Sequence, residues 1–279
     1  GAAAEELMTD RQPPRLSVGV ISAGAVGTAV ARVALAAGHD VRVVSRSGTD
    51  LPVPVVGVEE AAQAALVVLA VPDPVLPEVV ERVARTTRDG QIVAHTSGAH
   101  GCAVLQPVTD TGALPLALHP VMTFTGEPDL AGCPWGVTAD GEAGLAVAQV
   151  LVSSFGGVPV VVPEEARPAY HAAVAHAANH TVTLLSDALA VLDRVTDAPE
   201  TLLRRIVPAA VEAALDRREA ALTGPAARND VAAVLRHVDA LRDLCGDGGV
   251  TGAYIHGAVR TAQLAGAADV EWALTGRQC

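Results

Sequence analysis

His119 is the residue of this 279-residue chain whose surroundings best suit proton transfer. It ends an apolar run, Ala113–His119, that is typical of a buried strand, and Pro120 restricts the backbone behind it. A reaction in which an anion develops, such as the reduction of a carbonyl or an imine, needs a proton donor beside that anion. Histidine can serve as this donor, because the ordinary pKa of imidazole lies near neutrality. We therefore predict His119 as a proton donor. The alternative is a histidine that only hydrogen-bonds the strand end and shapes a pocket.

A second group of polar residues lies on a predicted helix that begins near Glu165. With about 100° of rotation per residue, His171 and His176 fall on either side of Asn179, about 80° and about 60° away. A polar stripe on an apolar helix faces solvent, a partner or a site, and we predict a site for Asn179 and His171. His176 and His180 are spaced to share a metal ion, but no acidic ligand accompanies them, so we expect no metal site.

A third candidate is the segment Thr223–Asp230, in which Thr-Gly-Pro precedes another predicted helix. Asn229 or Asp230 could cap that helix, which accounts for the acid at this place. Capping does not account for Arg228, and a guanidinium can bind a carboxylate through two parallel hydrogen bonds. We predict that Thr223 and Arg228 contact a carboxylated substrate.

The strongest local motif is the glycine-rich turn after the first predicted strand. In a Gly-x-Gly-x-x-Gly turn between a strand and a helix, the backbone approaches a pyrophosphate and the amino terminus of the helix faces its charge. Gly24 and Gly27 keep the second and third glycine positions. Ser22 replaces the first glycine, and serine is small enough for the turn if its φ is negative. The predicted pyrophosphate contacts are Ser22, Ala23, Gly24, Ala25, Val26 and Gly27; the alternative is a glycine turn that binds nothing.

The residues after the second predicted strand decide which dinucleotide would fit. A domain specific for NAD usually has an acidic residue there to hold the ribose hydroxyls, whereas this chain has Ser45, Arg46 and Ser47. Because Arg46 can bind a 2′-phosphate and the serines can donate hydroxyls, we predict NADP as the cofactor; the alternative is a solvated arginine. The ends of the next strands should line the same edge, and the further contacts predicted there are Val71, Pro72, Thr96, Ser97 and Gly98.

These residues need a parallel sheet to bring them together, and the first half of the chain alternates strand-like and helical segments as such a sheet requires. The predicted strands are Leu16–Ile21, Val41–Ser45, Ala65–Val71, Gln91–Thr96, Ala113–His119, Pro134–Thr138 and Val158–Val162. The predicted helices are Ala25–Ala37, Pro74–Arg85, Glu142–Phe155, Glu165–Leu192, Pro199–Leu215, Asp230–Leu244 and Gly252–Leu264.

We therefore predict an α/β protein with an N-terminal Rossmann-type, mostly parallel sheet that has helices on both faces, followed by an all-α C-terminal domain. The predicted domains are a flexible tail over residues 1–14, an NADP-binding domain over 15–163 and a helical substrate and dimerisation domain over 164–279.

Composition excludes several classes of function. The net charge of −12 opposes binding to nucleic acid, and the apolar runs are too short to cross a membrane. The four cysteines form no Cys-x-x-Cys pair, and with no export signal visible we expect a cytoplasmic protein. Every cation is an arginine, so lysine cannot serve as an acid.

Taken together, these motifs resemble a family of Rossmann-like oxidoreductases with an uncharacterised helical C-terminal domain, related to the 6-phosphogluconate dehydrogenase-like superfamily. The resemblance extends over about residues 15–265. It rests on the glycine turn and on the segments Thr96–Ala99, Leu118–Phe124, Tyr170–Ala173, Asn179–His180 and Leu222–Asp230.

The superfamily includes pyrroline-5-carboxylate reductase and ketopantoate reductase. The resemblance implies a homodimer with the active site between the domains, and ketopantoate as a substrate suggestion. It also implies a helical lysine four residues before an asparagine. If Asn179 is that asparagine, Ala175 stands where the lysine should be.

Three hypotheses follow from the sequence. The first is an NADP-dependent reductase of a small carboxylated ketone or imine. The second is a non-catalytic NADP sensor or regulatory protein, which the absent lysine and the replaced glycine favour. The third is a dimeric scaffold with a vestigial nucleotide fold.

Overall fold

The computed structural model describes residues 14–22 and 24–276. Ala23 and most of the predicted tail lie outside the described residues. The chain divides into two compact units, Gly1–His176 and Ala177–Cys279. The domain boundary at residue 163 stays a prediction from composition.

The first unit is built on a seven-stranded sheet with the strand order β2-β1-β3-β4-β5-β6-β7. All neighbouring strands are parallel except β5 and β6, which are antiparallel. The seven predicted strands are thus confirmed. Their bounds are Ser17–Ile21 (β1), Asp40–Val44 (β2), Leu66–Leu69 (β3), Ile92–His95 (β4), Leu114–Pro120 (β5), Pro134–Ala139 (β6) and Val158–Val161 (β7).

Helices cover both faces of this sheet, which is why its central strands are continuous apolar runs. Val18 and Val20 of β1 pack on one face, and Ile21 packs on the other. Gly19 permits the close approach of a helix, because a Cβ at this position would lie 2.1 Å from the carbonyl oxygen of Ala61. The helices of this part are Ala25–Ala36 (α1), Val58–Ala61 (α2), Leu76–Ala84 (α3), Gln106–Thr109 (α4) and Gly141–Ser154 (α5).

The strand order places the candidate residues on one edge of the sheet. Because β2 lies on one side of β1 and β3 on the other, the crevice between the two crossovers opens at the carboxyl end of β1. The carboxyl ends of β1 to β5 share this edge, so the segments after Ile21, Leu69, His95 and Ala117 face the same side of the molecule.

A 26-residue helix, Arg167–Leu192 (α6), begins in the first unit and ends in the second. The second unit continues with Pro199–Arg217 (α7), Val231–Cys245 (α8), Val250–Ala265 (α9) and Ala268–Thr275 (α10). The long helices were predicted; α10, like the short α2 and α4, was not, because a helix of this length has little periodic signal. In the described part of the chain, no helix combines the length and the apolar character needed to span a membrane.

The segment before α8 is held by capping, as the sequence indicates. The Asp230 carboxylate accepts a hydrogen bond from the Ala233 amide at 3.0 Å, which satisfies one free N–H of the first turn. Asn229 has a φ of 59°, and its side chain donates to Asp269 at 2.7 Å and accepts from the Val270 amide at 3.1 Å. These two residues therefore connect the starts of α8 and α10.

Candidate functional site

The glycine-rich turn lies where the sequence predicts, between β1 and α1, but its first residue has an unexpected backbone conformation. Ser22 has a φ of 76°, in the left-handed region, and the expectation of a negative φ is wrong. This conformation costs an L-residue about 1–2 kcal/mol relative to a helical one. The reason lies in the turn itself, because the Ser22 carbonyl packs against Gly27.

Gly24 and Gly27 differ in how much room the surrounding protein leaves for a side chain. A Cβ at Gly27 would lie 1.9 Å from the carbonyl oxygen of Ser22, so a side chain there has no room. A Cβ at Gly24 would meet no atom within 4 Å, and the φ of −73° suits any residue. The fold thus requires glycine at position 27 but not at position 24. An open, uncovered backbone at Gly24 beside the amino terminus of α1 is what a pyrophosphate needs.

A cavity of about 340 Å³ lies between the start of α1 and the loop after β2. Arg46 and Ser47 are exposed on this loop and do not line the cavity, while the Ser45 hydroxyl donates to the Gly48 carbonyl at 2.7 Å. The lining includes one cation, Arg32, and two carboxylates. The lining residues are Gly24, Ala25, Thr28, Ala29, Arg32, Gly48, Thr49, Asp50, Leu51, Gly126, Glu127 and Pro128.

The loop after β4 is fixed by buried hydrogen bonds. His95 is fully buried, lies 2.7 Å from the Gly101 carbonyl through Nε2, and accepts from the Ser97 amide at 3.0 Å through Nδ1. Burial lowers the pKa of His95 to about 4, so its imidazole is neutral and Nε2 donates. Thr96 and Ser97 are themselves buried, and the Ser97 hydroxyl accepts from two amides of its own loop. Of the two cofactor contacts predicted after the neighbouring strand β3, Val71 is half-buried and Pro72 is exposed.

His119 lies near the carboxyl end of β5 and pairs with the hydroxyl of Tyr170. The two groups are 2.6 Å apart through Nδ1, and their rings meet edge to face at 5.6 Å. Gly136 of β6 is the register partner of His119, and a Cβ there would lie 2.2 Å from the Tyr170 hydroxyl oxygen. The phenol therefore reaches His119 because position 136 has no side chain.

His171 completes a small polar cluster at this edge. Its ring meets that of His119 edge to face at 6.1 Å. A Cβ at Gly98 would lie 2.6 Å from His171 and 3.0 Å from Nε2 of His119, so both imidazoles pack on the glycine. The structure thus brings together three residues that the sequence selected, His119, His171 and Gly98.

Arg167, at the start of α6, is a part of this cluster that sequence reasoning missed. It is 1% exposed, and its three guanidinium nitrogens have no hydrogen-bond partner among the described residues. Its guanidinium carbon lies 5.5 Å from the centre of the Tyr170 ring. The nearby Glu164 carboxylate is occupied by the amides of Cys102 and Ala103, at 2.6 and 3.0 Å. The sequence gives no sign that this arginine is buried. Tyr170, in contrast, lies in the segment Tyr170–Ala173, on which the family resemblance partly rests.

The ionisation of His119 differs from the sequence-based expectation. Burial, followed by the electrostatic effects of Arg167 and His171, lowers the pKa of His119 to about 4, although Asp73 opposes this shift. The expected near-neutral pKa of His119 is therefore wrong. At neutral pH His119 is a neutral imidazole with one N–H donor and one acceptor.

Asn179, Thr223 and Arg228 belong to the second unit, and their predicted contacts with a substrate stay predictions. All three are exposed. The Asn179 carbonyl accepts from the Thr183 hydroxyl at 3.2 Å, and the Arg228 amide donates to the Gly224 carbonyl at 3.1 Å.

The chain matches two family models in succession. Residues 3–120 match the Rossmann-like domain, and residues 133–258 match a domain of unknown function, DUF2520. The resemblance to Rossmann-like proteins with an uncharacterised helical C-terminal domain is thereby confirmed. No protein with a curated description matches the sequence.

Several solved structures have the same fold. A candidate NADP oxidoreductase from Bacteroides fragilis superposes with a TM-score of 0.71 at 20% identity, covering 89% of this chain and 98% of that one. Pyrroline carboxylate reductase from Plasmodium falciparum, with NADP bound, has a TM-score of 0.61 at 13% identity, covering 90% and 98%. An imine reductase variant from Myxococcus stipitatus, in complex with NAD⁺, has a TM-score of 0.61 at 21% identity, covering 94% and 98%. At these identities the likeness establishes the fold.

The two glycines of the turn predict opposite effects on stability. Gly27→Ala should lower the free energy of unfolding by about 1–3 kcal/mol, because the added methyl group has no room beside the Ser22 carbonyl. Gly24→Ala is the matched control and should leave it unchanged, since the methyl group meets no atom. Urea denaturation of both variants measures this difference, and equal stability of the two would contradict the turn geometry.

Proposed function

We propose that this chain, which joins a Rossmann-like domain to a DUF2520 domain, is an NADP-dependent oxidoreductase that reduces a small carboxylated ketone or imine. A ketopantoate-like 2-oxo acid is the best candidate substrate. The observation that carries this proposal is the shared sheet edge: the open glycine turn follows β1, and the His119–Tyr170 pair lies three strands away at the end of β5. In a Rossmann-type domain, ligands bind in the crevice at this edge.

The residues present fit a dinucleotide. The uncovered backbone at Gly24 would hold the pyrophosphate with the first amides of α1, and the cavity beside it has room for part of the adenosine half. Arg46 and Ser47, exposed after β2, would hold a 2′-phosphate. When bound, the reduced nicotinamide supplies a hydride. The protein must add the proton, and His119 is the group at the right edge to do so.

The named structural relatives support this class of chemistry. The Bacteroides protein is a candidate NADP oxidoreductase, and the Plasmodium enzyme reduces pyrroline carboxylate and binds NADP. The Myxococcus imine reductase variant is in complex with NAD⁺, so relatives with this fold do not all bind the same dinucleotide. We favour NADP because arginine and serine, and no acid, directly follow β2.

The function is tested by following NADPH oxidation with a panel of 2-oxo acids and cyclic imines. We expect turnover of at least one substrate, and we expect His119→Gln to lower kcat without changing the Kd for NADPH, because in this proposal His119 donates the proton and does not bind the cofactor. Tight NADPH binding without turnover of any substrate would favour a non-catalytic NADP sensor instead.

We also propose that the protein is a homodimer that buries the faces of α6 and α7. Of the residues described in α7, only Pro199 is buried, and in α6 only Arg167. Ile206 is 64% exposed and Leu202 58%. Long helices with large exposed aliphatic side chains are stabilised by packing against another surface, and a second copy of the chain is the partner that the resemblance implies.

Disruption of the α7 face should produce monomers. In the double variant Leu202→Glu with Ile206→Glu, two charges would have to be buried at the proposed interface, so the dimer should dissociate. Val75→Glu is the control, because Val75 is 41% exposed in the first unit. Light scattering after size exclusion measures the mass. A monomeric wild-type protein at all concentrations would contradict the proposal.

Arg46 should determine the preference between the two cofactors. Arg46→Ala removes a charge-assisted contact with the 2′-phosphate, which is worth about 1.5–3 kcal/mol, so the Kd for NADPH should rise about ten- to a hundredfold. The Kd for NADH, which lacks that phosphate, should change little. Arg85→Ala removes another exposed arginine and serves as the control. Calorimetric titration gives both constants, and an unchanged NADPH affinity in Arg46→Ala would remove Arg46 from the cofactor site.

A further inference from the structure

We propose that Tyr170 and His119 form a proton relay: neutral His119 gives its Nε2 proton to the substrate, and the Tyr170 hydroxyl replaces the proton at Nδ1. This inference rests on the proposed reductase function and identifies the proton source of that reaction. It makes His119 the catalytic residue, with Tyr170 and Arg167 acting through it.

The direction of the hydrogen bond follows from the available acceptors. Among the described residues, Nδ1 of His119 is the acceptor within reach of the Tyr170 hydroxyl, at 2.6 Å. If Nδ1 carried the proton, the phenolic hydrogen would have no acceptor among the described residues. We therefore infer that the Tyr170 O–H donates and that His119 carries its proton on Nε2. That nitrogen packs beside Gly98, in the loop after β4.

The charged groups around His119 favour its neutral form. Burial has the largest effect and lowers the pKa of His119 to about 4 together with Arg167 and His171 of α6. Arg167 is a fixed cation, and Asp73, from the segment after β3, opposes the shift. An imidazolium is therefore not the acid at neutral pH. A neutral imidazole can still donate through Nε2 if its other nitrogen receives a proton.

Arg167 provides a positive charge close to the Tyr170 ring, which would become negative when the phenol loses its proton. Burial raises the pKa of the Tyr170 phenol, and Arg167, whose guanidinium carbon lies 5.5 Å from the centre of the ring, opposes this shift. Because the guanidinium is buried and has no hydrogen-bond partner among the described residues, its charge acts through a medium that screens poorly. Arg167 therefore offsets a part of the cost that burial places on a transient tyrosinate.

The relay moves two protons, one from His119 and one from Tyr170. As hydride bonds to the substrate carbon, the C=O or C=N π pair moves to the oxygen or nitrogen, which takes the proton from Nε2 of His119. The Nδ1 lone pair then forms a bond to the Tyr170 hydroxyl proton, and the O–H electrons stay on oxygen as tyrosinate. A water molecule protonates the tyrosinate and leaves as hydroxide, and the imidazole is restored by exchange of its proton from Nδ1 to Nε2 through solvent.

The chain contains its own matched control. Tyr254 and His237 of the second unit form a similar pair, with a hydroxyl-to-Nδ1 distance of 2.7 Å and an edge-to-face ring contact at 5.8 Å. His237 is exposed and Tyr254 is half-buried, and of the two tyrosine rings in the chain it is that of Tyr170 that has an arginine over it. Tyr254→Phe should therefore leave activity unchanged, and it isolates Tyr170 for spectroscopy.

The first test needs no substrate. In protein labelled with ¹⁵N-histidine, and with His119 assigned from the His119→Gln spectrum, His119 should be neutral and protonated on Nε2 between about pH 6 and pH 9. In the Tyr254→Phe background, the absorbance of phenolate reports Tyr170 alone, and Arg167→Met should move its pKa upward. A His119 that titrates near neutrality, or that carries its proton on Nδ1, would overturn the relay.

The second test uses a substrate found in the NADPH assay. Tyr170→Phe should lower kcat about 10²- to 10⁴-fold, as the loss of a general acid does, while the Kd for NADPH stays the same. Gly136→Ala should have a similar effect with both partners retained, because the methyl group displaces the hydroxyl. In wild type kcat should not fall between about pH 6 and pH 9, whereas an imidazolium donor would lose activity as pH rises.

The outcomes separate the two proposals. A wild-type protein that turns over no substrate contradicts the function and the relay together. Turnover with kcat of Tyr170→Phe within about twofold of wild type contradicts the relay alone.

Discussion

Burial of polar groups, the Arg167 guanidinium among them, determines the charge state of the cluster at the sheet edge. Removing a guanidinium from water costs free energy unless other groups compensate for it, and here the Tyr170 ring is the compensating contact. Burial is also the main reason that the His119 imidazole stays neutral, and repulsion between a charged imidazole and the guanidinium acts in the same direction. The neutral histidine therefore follows from burial and from one permanent cation together.

The cluster depends on three distant segments and on small residues between them. His119 comes from β5, Gly136 from its antiparallel neighbour β6, and Tyr170 from the first turn of α6. The register of β5 and β6 places Gly136 opposite His119. Because glycine has no side chain, the phenol of Tyr170 occupies the space beside it. Gly98, in the loop after β4, does the same for both imidazoles. Packing against glycine thus positions the tyrosine and the histidines, and the hydrogen bond between His119 and Tyr170 is the polar contact between them.

Most of the fold was predictable because the strands of a doubly covered parallel sheet are continuous apolar runs, and the helices that follow have clear end signals. The glycine turn and His119 were predictable from their place after such strands. The ionisation of His119 was not, because the groups that lower its pKa come from elements distant in sequence. Arg167 could not be selected either, since nothing in its sequence context separates a buried arginine from a solvated one.

Because the chain has no lysine, no ammonium side chain can act as the acid, and the proposed acid is a pair of residues instead of one. An ammonium group is charged at neutral pH and can deliver its proton alone. A histidine buried beside a guanidinium loses that property, and its neutral N–H is a weak acid by itself. A hydrogen bond from Tyr170 to the opposite nitrogen changes this, because the second proton can arrive as the first one leaves. Besides burial, Arg167 favours the neutral form of His119, and it also opposes the rise that burial causes in the pKa of the Tyr170 phenol, so one buried charge acts in the proposed direction on both halves of the pair.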